Sequence, residues 1–167
     1  MTAVAGSVRR GRDLVDDTLF DRVATKVATE RSDLADRAER IVDQALAFVA
    51  TAAEYPGRSL APSPQVDEGW HQLILHTEAY ADLCNRLGRF VHHVPDDTLS
   101  TLLPDSASSG SVARTINAIE QAGFVVDSEL WLQMGDCYEE SKCSASGENG
   151  NENSDTRIPP PVAMETR

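Results

Sequence analysis

Residues 13–57, DLVDDTLFDRVATKVATERSDLADRAERIVDQALAFVATAAEYPG, decide the fold class. Val15, Leu19, Val23 and Val27 recur every four positions, and Phe20 and Ala24 widen the stripe, while Asp13, Asp17 and Asp21 lie away from its centre. That spacing predicts an amphipathic helix from Asp13 to about Glu30. Ser32 is a suitable N-cap for a second helix, whose buried face is Leu34, Ala38, Ile41, Val42, Ala45, Phe48, Val49 and Ala52. Tyr55-Pro56-Gly57 stops it. Two helices joined by so short a turn should pack as an antiparallel hairpin.

Downstream the pattern stays helical. Arg58–Pro62 reads as a loop, and Ser63-Pro64 is a start signal, with a hydroxyl at the cap and proline at the first helical position. The third helix runs through Trp70-His71 to about His76 and should be central to the domain. Thr77 opens a further turn or a new helix holding Tyr80 and Cys84, which Gly88 terminates. Residues 96–110 read as a polar connector. Val112, Ile116 and Ile119 build a fourth main helix closed by Gly123; Phe124-Val125-Val126 is too short for a strand. Asp127 is a cap for a last short helix with Leu130 and Trp131, both read as core. The expectation is one all-α domain of about four main helices over residues 13–134. A flexible leader (1–12) precedes it and a disordered acidic tail (135–167) follows, with low-complexity residues 148–155 and the run Pro159-Pro160-Pro161.

The chain of 167 residues carries 27 acidic and 15 basic side chains, a net charge of −12, and residues 1–66 hold 10 of the acids and 9 of the bases. The excess beyond Val66 repels phosphate backbones and anionic lipid, so neither nucleic acid nor membrane is expected as a partner, whereas a protein partner is open. No apolar run is long enough to span a bilayer, and no signal peptide is legible, so a cytoplasmic location is expected. Three cysteines, Cys84, Cys137 and Cys143, argue against a disulfide framework and for free or metal-bound thiols.

The chemistry concentrates in one place: all four histidines, His71, His76, His92 and His93, fall within 23 residues. At about 100° per residue, Asp67, Trp70, His71 and Ile74 share one helical sector. Asp67 and His71 form an i, i+4 pair in which the carboxylate can fix the imidazole's tautomer. His76 lies on another face and is left out of the site. Of the adjacent His92 and His93, only one should point inward, because successive extended side chains alternate.

Three uses compete. His71, Cys84 and one of His92 or His93 can hold a transition metal, zinc foremost, with Asp67 as ligand or support, and Cys137 and Cys143 as candidates for the remainder. Alternatively Asp67–His71 is a structural pair and Cys84 a small buried residue. In the third, Cys84 is a nucleophile with a histidine base. No phosphate-binding glycine loop, Gly-x-Ser-x-Gly elbow or His-Glu-x-x-His is present. A helix-turn-helix around Ala122-Gly123-Phe124 is rejected because its second element has no Lys or Arg to reach DNA.

The blocks Val66-Asp67-x-x-Trp70-His71-x-x-Ile74-x-x-Thr77-x-x-Tyr80-x-x-x-Cys84 and Gly88-x-Phe90-x-His92-His93-x-Pro95 resemble the glycine-rich domain-containing protein-like family, in its small bacterial form. Thr115-x-x-x-Ile119-x-x-x-Gly123-Phe124 and Asp127-x-x-Leu130-Trp131 extend the likeness over roughly residues 13–134. The glycine-rich region that names the family is absent here. The resemblance implies a helical domain with the motif at its site and no established enzymatic activity. The expected function is an interaction or regulatory module with a His/Cys site for zinc. Its alternative is a metal-assisted hydrolase using Asp67, His71, Cys84 and His92, with Asp67 or His71 as general base.

Overall fold

The computed structural model describes residues 8–95, 107–131 and 143–144. Among them the chain is all-α. Helices α1 (Asp17–Glu30), α2 (Ala38–Glu54), α3 (Pro64–Leu75), α4 (Thr77–Leu87), α5 (Ala107–Gln121) and the short α6 (Ser128–Trp131) follow one another. A ladder of two residues per strand, β1 (Val94–Pro95) with β2 (Cys143–Ser144), is their sole addition apart from short 3-10 turns and one isolated bridge. The rest of the expected acidic tail, Cys137 and the first part of the polar connector lie outside the described residues.

The first two helices start later than the periodicity suggests, for identifiable reasons. Asp16 extends and accepts the Leu19 N–H at 2.9 Å, so the α-helix begins at Asp17, and Gly11–Leu14 forms a separate 3-10 turn. Ser32–Arg37 is likewise a 3-10 segment, and α2 proper opens at Ala38. The expected flexible leader ends sooner than residue 12. Arg9 exchanges backbone hydrogen bonds with Gly123 and Val125 at 3.0 and 3.1 Å, and Gly11 lies where a Cβ would fall 1.9 Å from the Asp43 carbonyl.

The central helix is α2, not the Trp70-His71 helix. From Gln44 to Ala53 every residue is buried, and α1, α3, α4 and α5 all pack on it. A helix that is apolar nearly all round has no face to give to water, so the other helices surround it. Its one buried amide joins the far end of the chain. Gln44 Oε1 accepts from Trp131 Nε1 (2.7 Å) and the Asp127 N–H (3.1 Å), while its Nε2 donates to the Val125 carbonyl (3.0 Å). Asp127 also takes Arg40 in a two-pronged ion pair at 2.6 and 2.8 Å, which with the Glu129 N–H holds its carboxyl below the usual range.

Ser63 caps α3 as expected. Its Oγ accepts from the Val66 N–H and donates to the Leu130 carbonyl at 2.6 Å, fixing α3 to α6. Gly69 lets α3 settle onto Ile41 and Ala45 of α2. The chain breaks helical geometry at His76, so Thr77 opens a separate helix rather than a further turn of α3. Gly88, at φ +81°, ends α4 with Arg89 N–H bonded to the Cys84 carbonyl. Gly123 closes α5 in the same way, and α5 starts at Ala107, inside the segment expected to be connector. Ser111, Thr115, Ala118, Ile119 and Ala122 form its buried side.

Candidate metal centre

Two elements converge. The α3 helix supplies Asp67 and His71 one turn apart, and the extended segment after Gly88 supplies His93. Asp67 faces both imidazoles, with Oδ1 3.2 Å from His93 Nε2 and Oδ2 3.4 Å from His71 Nδ1. One ligand atom from each residue lies within 4.8 Å of the other two. The Asp67 and His93 side chains are only 13% and 11% exposed, whereas His71 is 53% exposed, so the group is walled by protein on one side and open on the other.

His93 is held in place by aromatic packing. Its ring lies 4.4 Å from the Trp70 ring and 4.3 Å, nearly edge-on, from His71. Trp70 itself is fully buried against Phe48 at 5.2 Å. Trp70 Nε1 donates to the Tyr80 hydroxyl at 3.0 Å, which donates to the Val91 carbonyl at 2.6 Å. Tyr80 thereby pins the backbone two residues before His93, and burial raises its phenol far above its ordinary pKa, keeping the proton available for that bond.

The other candidates fall elsewhere. His92 is exposed and stacks on Phe90 at 4.7 Å; of the adjacent pair, His93 turns in and His92 out. Cys84 does not join the group. It is fully buried on the inner face of α4, beside the Tyr80 hydroxyl and the Val91 backbone, and burial pushes its thiol above the ordinary value. A nucleophile needs an exposed thiolate, and Cys84 has neither property. His76 borders a separate cleft of about 410 Å³ with Arg22 and Lys26; burial first, then those two cations, lowers its pKa. The Tyr80 bridge is what sequence reasoning missed. Tyr80 stands in the motif, but its hydroxyl's two partners are ten and eleven residues away and belong to different elements.

The family pattern described as UCP032817-like matches residues 10–119, two thirds of the chain, including α1 to α4 and the whole of the Asp67/His71/His93 group. The chain belongs to the UCP032817-like family. This is an uncharacterised family, and it replaces the likeness to the glycine-rich domain-containing protein-like family, which the match does not support. Trp70, Tyr80, Cys84 and Gly88, which carried that likeness, are core residues and a helix stop, roles that any helical domain fills. No curated protein and no solved structure matches the chain. Among the described residues no helix is long and apolar enough to cross a membrane.

Proposed function

We propose that Asp67, His71 and His93 bind one divalent transition metal, zinc foremost, and that this domain works as a metal-dependent interaction or regulatory module. The observation that carries the reading is a single carboxylate facing two imidazole nitrogens at 3.2 and 3.4 Å. The His93 contact is a hydrogen bond at the long end of the ordinary range, and the His71 contact is longer still. The two distances run to different oxygens of the carboxylate, and one ligand atom from each residue lies within 4.8 Å of the other two. An ion would therefore have to draw the three donors together to reach the roughly 3.3 Å spacing that zinc bonds of about 2.0–2.1 Å set. Two imidazoles and a carboxylate are also a donor set that zinc and neighbouring first-row metals accept.

The test is metal content and affinity of the untagged full chain. One zinc per chain is expected, and His93→Ala and His71→Ala should each weaken binding at least about tenfold, because each removes a ligand rather than a supporting group. Substoichiometric metal under zinc-replete conditions, or unchanged affinity in His93→Ala, sinks the proposal. Three protein donors leave a fourth position, the arrangement used by catalytic zinc, and that observation supports metal-assisted hydrolysis as a second reading. It requires water at the fourth position, and is lost if a protein group fills it.

A further inference from the structure

A second cluster of nitrogen donors lies away from the metal group. On α1, Arg22, Thr25, Lys26 and Thr29 stand at i, i+3, i+4 and i+7, so they form one exposed stripe. The break between α3 and α4 brings His76 to that stripe across a cleft of about 410 Å³, which Asp21 also lines. Among the described residues, neither the Arg22 guanidinium nor the His76 imidazole has a hydrogen-bond or ion-pair partner. Lys26 has one exposed ion pair, with Glu30 at 3.7 Å, and such pairs hold weakly. The Thr29 hydroxyl donates to the Thr25 carbonyl at 2.7 Å, which leaves the Thr25 hydroxyl free to donate. Of the other acids, Asp21 also acts on Arg12, and Glu78 lies in the first turn of α4, two residues after His76. The charges that act on His76 are those of Arg22 and Lys26, which together with burial, the larger cause, lower its pKa.

We propose that this cleft binds a phosphate dianion, free or as the end group of a small phosphomonoester, between Arg22, Lys26 and a protonated His76. The arginine fork matches two phosphate oxygens, Lys26 supplies a compact charge, and the imidazolium and the Thr25 hydroxyl add further donors. A dianion also relieves the mutual repulsion of the three cationic groups. The cleft falls within the roughly 300–1,000 Å³ of small-ligand pockets, and a chain of net charge −12 repels a long polyanion, so the ligand that fits is small. The site shares no residue with the Asp67/His71/His93 group and needs no metal. A bound dianion favours the imidazolium and so raises the His76 pKa. By linkage, binding is tightest below the pKa of free His76 and weakens as pH rises through the pKa of the complex.

Titration of the full chain with sulfate, inorganic phosphate and phenyl phosphate tests this, followed at the imidazole proton resonances, with His76→Gln assigning those of His76. Sulfate stays a dianion throughout, so its pH dependence reports the protein alone. Bound sulfate should raise the His76 pKa by about one unit and bind roughly three- to tenfold more tightly at about pH 5.5 than at about pH 8, a difference lost in His76→Gln. Arg22→Ala should weaken every anion at least about tenfold with unchanged far-ultraviolet circular dichroism, because Arg22 is exposed. Arg114→Ala, which removes the same charge from the exposed side of α5, should leave binding unchanged. Tighter binding of phenyl phosphate supports a monoester as the occupant, and equal binding of the two phosphates supports free phosphate. No shift at His76 with any of the three anions overturns the proposal, as do equal losses in Arg22→Ala and Arg114→Ala. Loss of binding in His93→Ala overturns it too, by placing the anion at the metal group.

Discussion

Gly69→Ala probes the closest approach between the helix that carries Asp67 and His71 and the central helix. A Cβ at Gly69 would lie 2.8 Å from Ile41 Cγ2, 3.1 Å from Ala45 Cβ and 3.1 Å from the Ile41 carbonyl oxygen. Carbon atoms rest at about 3.5–4.0 Å, so the two helices must separate by roughly half an ångström or more. Ile41 offers little relief: it is fully buried, and a β-branched side chain in a helix is held near one rotamer about nine times in ten. Overpacking of this kind costs about 1–3 kcal/mol. Against that, alanine is the better helix former by about 0.8–1.0 kcal/mol. The expected net loss is about 0.2–2 kcal/mol, up to roughly 8 °C in Tm for a chain of this size. Urea denaturation is the assay, with a lower midpoint at unchanged m-value. The sign is decisive, because helix propensity acting alone would make the variant more stable. A midpoint at or above wild type refutes the close approach of α3 to α2.

Gln44→Leu removes the acceptor for Trp131 Nε1 and the Asp127 N–H, leaving buried donors unmatched at about 1–3 kcal/mol each; urea unfolding followed by tryptophan fluorescence should show a loss of at least about 2 kcal/mol. Tyr80→Phe keeps the ring but leaves the buried Trp70 Nε1 and the Val91 carbonyl unmatched, so stability should fall by at least about 2 kcal/mol and zinc affinity of the folded protein about 10–100-fold, read by a thermal melt and isothermal titration respectively. Cys84 should resist a small alkylating reagent in the folded protein and react after denaturation, as mass spectrometry of the labelled peptide would show. The Arg40 ion pair lowers the Asp127 pKa in the folded state, so its contribution is present above the unfolded value of about 3.9 and is lost as pH falls through the folded one. The urea midpoints of wild type and Arg40→Met should therefore converge below about pH 4; a constant gap would mean that the pair is not what stabilises this corner.

What could be read from the sequence was whatever depends on near neighbours. The α1 stripe, the Ser63-Pro64 start and the stops at Gly88 and Gly123 are local patterns, set within a turn or two of helix, and the chain forms them where expected. The centrality of α2 was not legible in the same way. Periodicity marked one buried face and passed over Gln44, Ala47 and Thr51, which are buried because other elements cover them. Gln44 is the clearest case. A polar residue in a helix reads as surface until Val125, Asp127 and Trp131 arrive from more than eighty positions away to satisfy its amide.

The same division runs through the candidate site. Asp67 and His71 share a helical turn, so their pairing follows from rise and rotation alone. His93 cannot be chosen over His92 on such grounds, because the choice depends on how the strap after Gly88 is registered, and Tyr80 sets that register by holding Val91. Cys84 was drawn toward the site by its closeness in sequence, but the break at His76 starts a new helix whose inner face carries the thiol into the core. A centre drawing on α3 and the Tyr80-pinned strap links two segments that meet only where the strap lies against Trp70 and His71. A metal that needs both segments would add its binding energy only to the arrangement in which they meet, so occupancy of the site and docking of the strap would rise and fall together.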